Sequence, residues 1–195
     1  MAISILTVCS GNICRSPLAE QLLRQGLSGV TDATVTSAGT IAMVGSPMAP
    51  PSQVLSARYG ATDAAAHVAR QLTADQIVEA DLVLAMSRDH RRAIVEMVPS
   101  AVRKTFTLRE FARLVAEVSD EDLADGFIPG SKPFASAVAV ASSFRGIVAP
   151  ADSPDDDDVV DPYRQSKAVY QTSADQLVPA VRTTVSFIER AASVG

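Results

Sequence analysis

The 195-residue chain is 47% hydrophobic with a formal net charge of −5, which suits one domain with its own core and excludes the basic footprint of a nucleic-acid binder. Its two cysteines, Cys9 and Cys14, stand five apart, too close for a disulfide framework, and two histidines outside any Cys/His cluster give no reason to expect a metal site. No apolar run approaches a membrane span, and Met1-Ala2-Ile3-Ser4-Ile5 lacks the features of a signal peptide, so the expectation is a cytoplasmic protein without cofactor.

The first predicted strand is the apolar run Ile3 to Val8. A loop, Cys9 to Ser16, leads into a helix whose leucines at 18, 22 and 23 share one face; Ser16 reads as its N-cap and Pro17 as its first residue. Gly26 to Thr31 reads as a turn, Ala33 to Ser37 as the second strand, and proline-rich Ile41 to Pro51 as loop. A helix over Ser52 to Tyr59 closes at Gly60, and Thr73 with Gln76 opens another in capping-box fashion. Asp81 to Met86 is a buried parallel strand, and Ser87 caps a helix running to Pro99. Lys104 to Thr107 is the fourth strand, followed by a helix to Val118. Beyond an acidic patch around Asp120, Lys132 to Val148 reads as an Ala/Val-rich helix and Asp152 to Asp158 as an acidic loop. The last helix, Ser166 to Ala192, should kink or break near Pro179. Alternating strands and helices predict a single α/β domain with a parallel sheet and helices on both faces.

The loop carries the chemistry. The helix N-terminus behind it offers unpartnered N–H groups and the positive end of the dipole. Between Cys9 and Arg15 the chain has the length to curl its amides around a tetrahedral oxyanion, with Gly11 and Asn12 the residues that most readily turn left-handed. Arg15 adds a planar fork for two phosphate oxygens. The same positive field favours the thiolate of Cys9, a nucleophile aimed at phosphorus. A lone cysteine at a strand end is ordinarily just a small buried residue; the conjunction of strand, Cys, Gly-Asn, Arg-Ser-Pro and amphipathic helix is what points to phosphate.

A proton donor is also needed. His67 and His90 lie in segments without other signs of acid–base work, whereas Asp161 precedes Pro162, which stiffens its loop, and Tyr163, which can wall a slot for an aromatic ring. The acidic run Asp155 to Asp158 lacks both features.

Cys9-Ser10-Gly11-Asn12-Ile13-Cys14-Arg15-Ser16-Pro17-Leu18-Ala19-Glu20 resembles the signature of the low-molecular-weight protein-tyrosine phosphatases, Cys-x5-Arg-Ser followed by Pro and an Ala-Glu pair. Asp161-Pro162-Tyr163 matches the late loop that carries that family's general acid. The resemblance implies a sheet in the order 2-1-3-4 and metal-free hydrolysis of protein phosphotyrosine through a cysteinyl-phosphate, with inorganic phosphate and other oxyanions as inhibitors. It implies Cys9, Arg15 and Asp161 as catalytic residues and the loop Ser10, Gly11, Asn12, Ile13, Cys14 as the phosphate cradle. It further implies Ser16 as hydrogen-bond donor to the nucleophile, Ser37 and His67 as braces of Asn12, and Tyr163 with Arg164 at the substrate rim. Arg164 stands where many relatives have a second tyrosine, and Arg70, which pairs with an aspartate in the family, meets Ser87 at that position and has Asp89 as substitute partner. Relatives with the same cysteine pair imply a Cys9–Cys14 disulfide under oxidation. The match covers 3–118 and about 159–190; residues 119–158 read as an insertion near the mouth of the site, dispensable for chemistry unless Phe134 to Val148 packs into the core.

Two neighbours of this reading differ in chemistry. Arsenate reductases of the same fold need cysteines after the phosphate loop, and this chain has none after Cys14. Protein-arginine phosphatases usually carry Thr where Ile13 stands, and an apolar Ile13 better lines a slot for a phenyl ring. A non-catalytic phosphate-binding module would have little use for both Cys9 and Asp161.

Overall fold

A computed structural model of the protein describes residues 3–29, 33–127 and 132–194. Four strands, β1 (Ile3–Cys9), β2 (Ala33–Gly39), β3 (Leu82–Ala85) and β4 (Thr105–Thr107), form one sheet in the order β2-β1-β3-β4. All pairings are parallel, with Cys9 opposite Gly39 at the carboxyl end. Among the described residues eight α-helices connect and cover them: α1 (Arg15–Gly26), α2 (Pro50–Arg58), α3 (Ala74–Glu79), α4 (Arg88–Met97), α5 (Leu108–Ala116), α6 (Asp120–Asp125), α7 (Pro133–Ser143) and α8 (Lys167–Val194).

The alternation of β1 divides the core in two. Ile3, Ile5 and Cys9 face a cluster shared with α1, α5, α7 and α8, in which Phe111 meets Phe106 and Phe187 edge-on at 5.1 and 5.6 Å. Leu6 and Val8 face the smaller cluster of Ile77 and Ile94 from α3 and α4. Both faces are therefore covered, the condition for continuous apolar strands such as Leu82-Val83-Leu84-Ala85.

Several boundaries differ from expectation. Helix α1 starts at Arg15 with Cys14 as N-cap, so Ser16 lies inside the helix and its hydroxyl serves the loop. Pro50 and Pro51 occupy the first turn of α2, where a missing N–H costs nothing, and pull its start ahead of Ser52. Strand β2 continues to Gly39, where a side chain would collide with the Ser10 carbonyl; only glycine lets the strand end pass so close to the loop. Helix α7 stops at Ser143. Helix α8 runs unbroken through Pro179, held by its packing on α5 and α1. The last residues of the predicted turn, Val30 and Thr31, lie outside the described residues. Phe134, Ala137, Val138, Ala141 and Phe144 are all buried in the main core, so part of 119–158 is structural filling rather than an appendage.

Candidate active site

The loop between β1 and α1 closes on itself as its residue types dictate. Asn12 is left-handed at φ 56°; Gly11 is not among the positive-φ residues, so the reversal falls on Asn12 alone. The asparagine side chain is fully satisfied. Its Oδ1 accepts from the Arg70 N–H at 2.9 Å, which orients Nδ2 to donate to Ser16 Oγ at 3.0 Å and Ser37 Oγ at 2.8 Å. His67 Nε2 donates to the Asn12 carbonyl at 2.7 Å, so that nitrogen carries the proton. Ser37 in turn donates to Glu20 Oε2, and Glu20 pairs with Arg24 one helical turn on. Asn12, Ser16, Ser37, His67 and Glu20 are all buried, so the network is worth more than its exposed equivalent and leaves the loop one conformation.

At its centre Cys9 Sγ lies 3.0 Å from Ser16 Oγ. Asn12 donates to Ser16, so the serine proton points away from the amide and is shared between the sulfur at 3.0 Å and the Ala38 carbonyl at 3.4 Å; a Cys9 thiolate, the stronger acceptor, draws it to sulfur. Arg15, 5% exposed, sends Nη1 to the Val159 carbonyl at 3.0 Å and Nη2 to Asp161 Oδ2 at 2.8 Å. Its Nε is buried with no hydrogen-bond partner among the described residues, a donor left for a ligand to satisfy. Asp161, half-exposed, also accepts from the Tyr163 N–H at 3.1 Å, and a left-handed Arg164, φ 59°, turns the chain so that its guanidinium lies 5.1 Å from the Tyr163 ring. Cys9, Ser10, Gly11, Ile13, Cys14 and Arg15 of the loop line a pocket of about 250 Å³ together with Asp161, Tyr163, Ile41 and Met43. The structure thus brings Ser10, Gly11, Ile13 and Cys14 together with Cys9, Arg15, Asp161 and Tyr163 around one pocket, while Asn12, expected in the cradle, lies buried behind it and Arg164, expected at the rim, is not among the lining residues.

Other expectations change. Among the described residues no ion pair joins Arg70 to Asp89, which reaches Arg92 instead; Arg70 contributes its backbone N–H to Asn12. Cys14 meets the Tyr170 hydroxyl at 3.6 Å, and burial pushes the Cys14 thiol pKa up. His90, passed over in the sequence, touches the loop: its Nε2 lies 2.8 Å from Ser10 Oγ and its Nδ1 2.8 Å from Ser87 Oγ, the α4 cap. Burial, then the Arg15 charge, lowers its pKa from 6.5 to about 4, so the ring is neutral. Ile41 and Met43 were hidden in a proline-rich loop without periodicity, where neighbouring Ala42, Val44 and Met48 are apolar too and nothing sets the pocket residues apart. Among the described residues no group of three or more His, Cys, Asp or Glu is placed to hold a metal ion.

The sequence model described as "Low molecular weight phosphotyrosine protein phosphatase" matches residues 4–145. The chain belongs to this family. Like its relatives the phosphatase is a hydrolase, and it resembles the probable low molecular weight protein-tyrosine-phosphatase EpsP of Ralstonia solanacearum, 44% identical over 107 residues (55% of this chain, 71% of that one). It is also similar to a protein-arginine-phosphatase of Geobacillus stearothermophilus, 41% identical over 128 residues (65% and 80%). The crystal structure of the Erwinia amylovora tyrosine phosphatase AmsI superposes with a TM-score of 0.66 at 27% identity, covering 95% of this chain and 93% of that one.

Proposed function

We propose that this phosphatase hydrolyses phosphotyrosine on protein substrates in two steps through Cys9. In the first, Cys9 Sγ attacks phosphorus, the bond from phosphorus to the phenolic oxygen breaks, and the Asp161 carboxyl passes its proton to that oxygen. Arg15 and the loop N–H groups meet the charge on the equatorial oxygens. In the second, the Asp161 carboxylate takes a proton from water, the new oxygen–phosphorus bond forms, and the sulfur–phosphorus bond breaks to release phosphate. The observation that carries this reading is the joint geometry of Cys9, Arg15 and Asp161: a sulfur 3.0 Å from a hydroxyl donor, and a guanidinium that links the loop to the acid at 2.8 Å. An entering phosphate competes for that guanidinium and displaces Asp161 from it, leaving the carboxyl to carry its proton. Asn12, Ser16, Ser37 and His67 hold the loop; Tyr163 and Arg164 form the rim.

Asp161→Asn tests the acid. kcat/KM should fall by about 10²-fold or more for phenyl phosphate, whose leaving group needs the proton, and much less for p-nitrophenyl phosphate. An equal loss across a leaving-group series would remove Asp161 from that role. Inorganic phosphate and similar oxyanions inhibit by occupying the loop. Two free, buried thiols suit a reducing compartment, the cytoplasm.

The similarity to an arginine phosphatase supports a second reading. Ile13, Met43 and Tyr163 around the pocket favour a phenyl ring over a charged guanidinium. Turnover of matched phosphotyrosine and phosphoarginine peptides separates the two.

A further inference from the structure

Asp155-Asp156-Asp157-Asp158 lies just upstream of the acid loop. Four adjacent carboxylates repel one another and by themselves favour a solvated, mobile segment. In the fold, two of them are drawn inward by arginines. Arg88, the first residue of α4, reaches Asp158 through Nε at 3.3 Å to each oxygen and through Nη2 at 3.1 Å. Its backbone N–H also donates to Asp158 Oδ1 at 2.8 Å, where the positive end of the helix favours a carboxylate. Arg113 of α5 grips Asp157 with Nη2 at 3.0 and 3.1 Å and the Ala149 carbonyl with Nη1 at 2.7 Å. Arg109, one turn earlier, donates to the Asp158 carbonyl at 2.8 Å.

The next residues pass this anchorage to the site. The Val159 N–H donates to the Met86 carbonyl just beyond β3 at 2.9 Å, the Val159 carbonyl accepts from Arg15, and the Val160 N–H donates to Gln176 Oε1 on α8 at 2.8 Å. Asp161 then meets Arg15. Asp157 and Asp158 side chains are only 18% and 27% exposed, so solvent screens their pairs less than it does that of Asp155, at 86%.

We propose that Arg88, Arg109 and Arg113 are positioning residues for the protonation step: by clamping Asp157 and Asp158 they set where Asp161 stands over Cys9. The proposal rests on the reading of Asp161 as general acid. A group displaced by about 1 Å can lose some 10²-fold in rate, and only Val159 and Val160 separate Asp158 from Asp161 along the chain.

The test is kcat/KM over a series of aryl phosphates for Arg88→Gln, Arg113→Gln and the charge-swapped pair Arg113→Asp with Asp157→Arg, beside Asp161→Asn. The inhibition constant of inorganic phosphate reports whether the Cys9 loop is intact. Each single variant should lose about tenfold with phenyl phosphate and less than about threefold with p-nitrophenyl phosphate, a fraction of what a general acid contributes. Phosphate inhibition should be unchanged, and the swapped pair should recover most of the loss. An equal loss across the series, no loss, or a parallel loss of phosphate affinity overturns the clamp. If Asp161→Asn steepens the leaving-group dependence and the arginine variants do not, the clamp fails and the acid stands. If Asp161→Asn gives a flat loss, the reading beneath both fails.

Discussion

Asn12 concentrates the logic of the site in one residue: the left-handed backbone that curls the loop and the amide that ties Ser16, Ser37 and Arg70 into it. His90 works at the other edge, a neutral ring between Ser10 and Ser87. Its pKa of about 4, against 6.5 when unfolded, makes it a source of pH-dependent stability. Between those values the unfolded chain binds more protons than the folded one, so stability falls as pH drops from 6.5 toward 4, by at most about 3 kcal/mol from this group. Below 4 its contribution levels off. Arg15 adds to the shift while Asp161, Asp89 and Asp158 oppose it. Urea unfolding of wild type and His90→Gln between pH 4 and 7 should show a shallower pH slope in the variant; an equal slope would mean His90 does not titrate in this window. The sequence pointed to Cys9, Arg15 and Asn12 because each residue type has one obvious use in a phosphate loop. It hid His90 because a histidine on an amphipathic helix looks the same whether it faces water or the loop beyond the helix cap.

At the scale of elements, local signals that repeat within a few residues were legible: the capping box at Thr73, the Ser87 cap and the buried run of β3. Signals that depend on partners distant in sequence were not. The residue pattern alone read the Ser16 hydroxyl as a helix cap, and only the family resemblance sent it to the sulfur; Pro179 read as a kink or break and sits in an unbroken helix held by packing. Helix α7 had no clear amphipathic stripe because it is buried on several sides. Phe134, 1% exposed, anchors it, so Phe134→Ala should cost about 3–5 kcal/mol in denaturant unfolding. A cost below about 1 kcal/mol would show that α7 is peripheral. By the same packing, deleting 133–147 should unfold the chain rather than alter its choice of peptide.

Across the whole molecule, the parallel sheet brings the end of β1, the start of α1 and the loop before α8 to one edge, so residues about 150 apart in sequence meet around one pocket. The order of strands and the covered faces followed from the alternation of elements and the family resemblance. The arginine clamp did not: an acidic run and scattered arginines in α4 and α5 carry no mark of mutual contact until the fold is known. The most direct test of the account is acid-quenched mass spectrometry after the enzyme is mixed with an aryl phosphate. The account predicts a phosphoryl group on Cys9 alone, formed with a burst of one phenol per active site, and no phosphoenzyme or turnover in Cys9→Ser although phosphate still binds. Sustained turnover by Cys9→Ser, or a phosphoryl group on any other residue of the wild type, would contradict it.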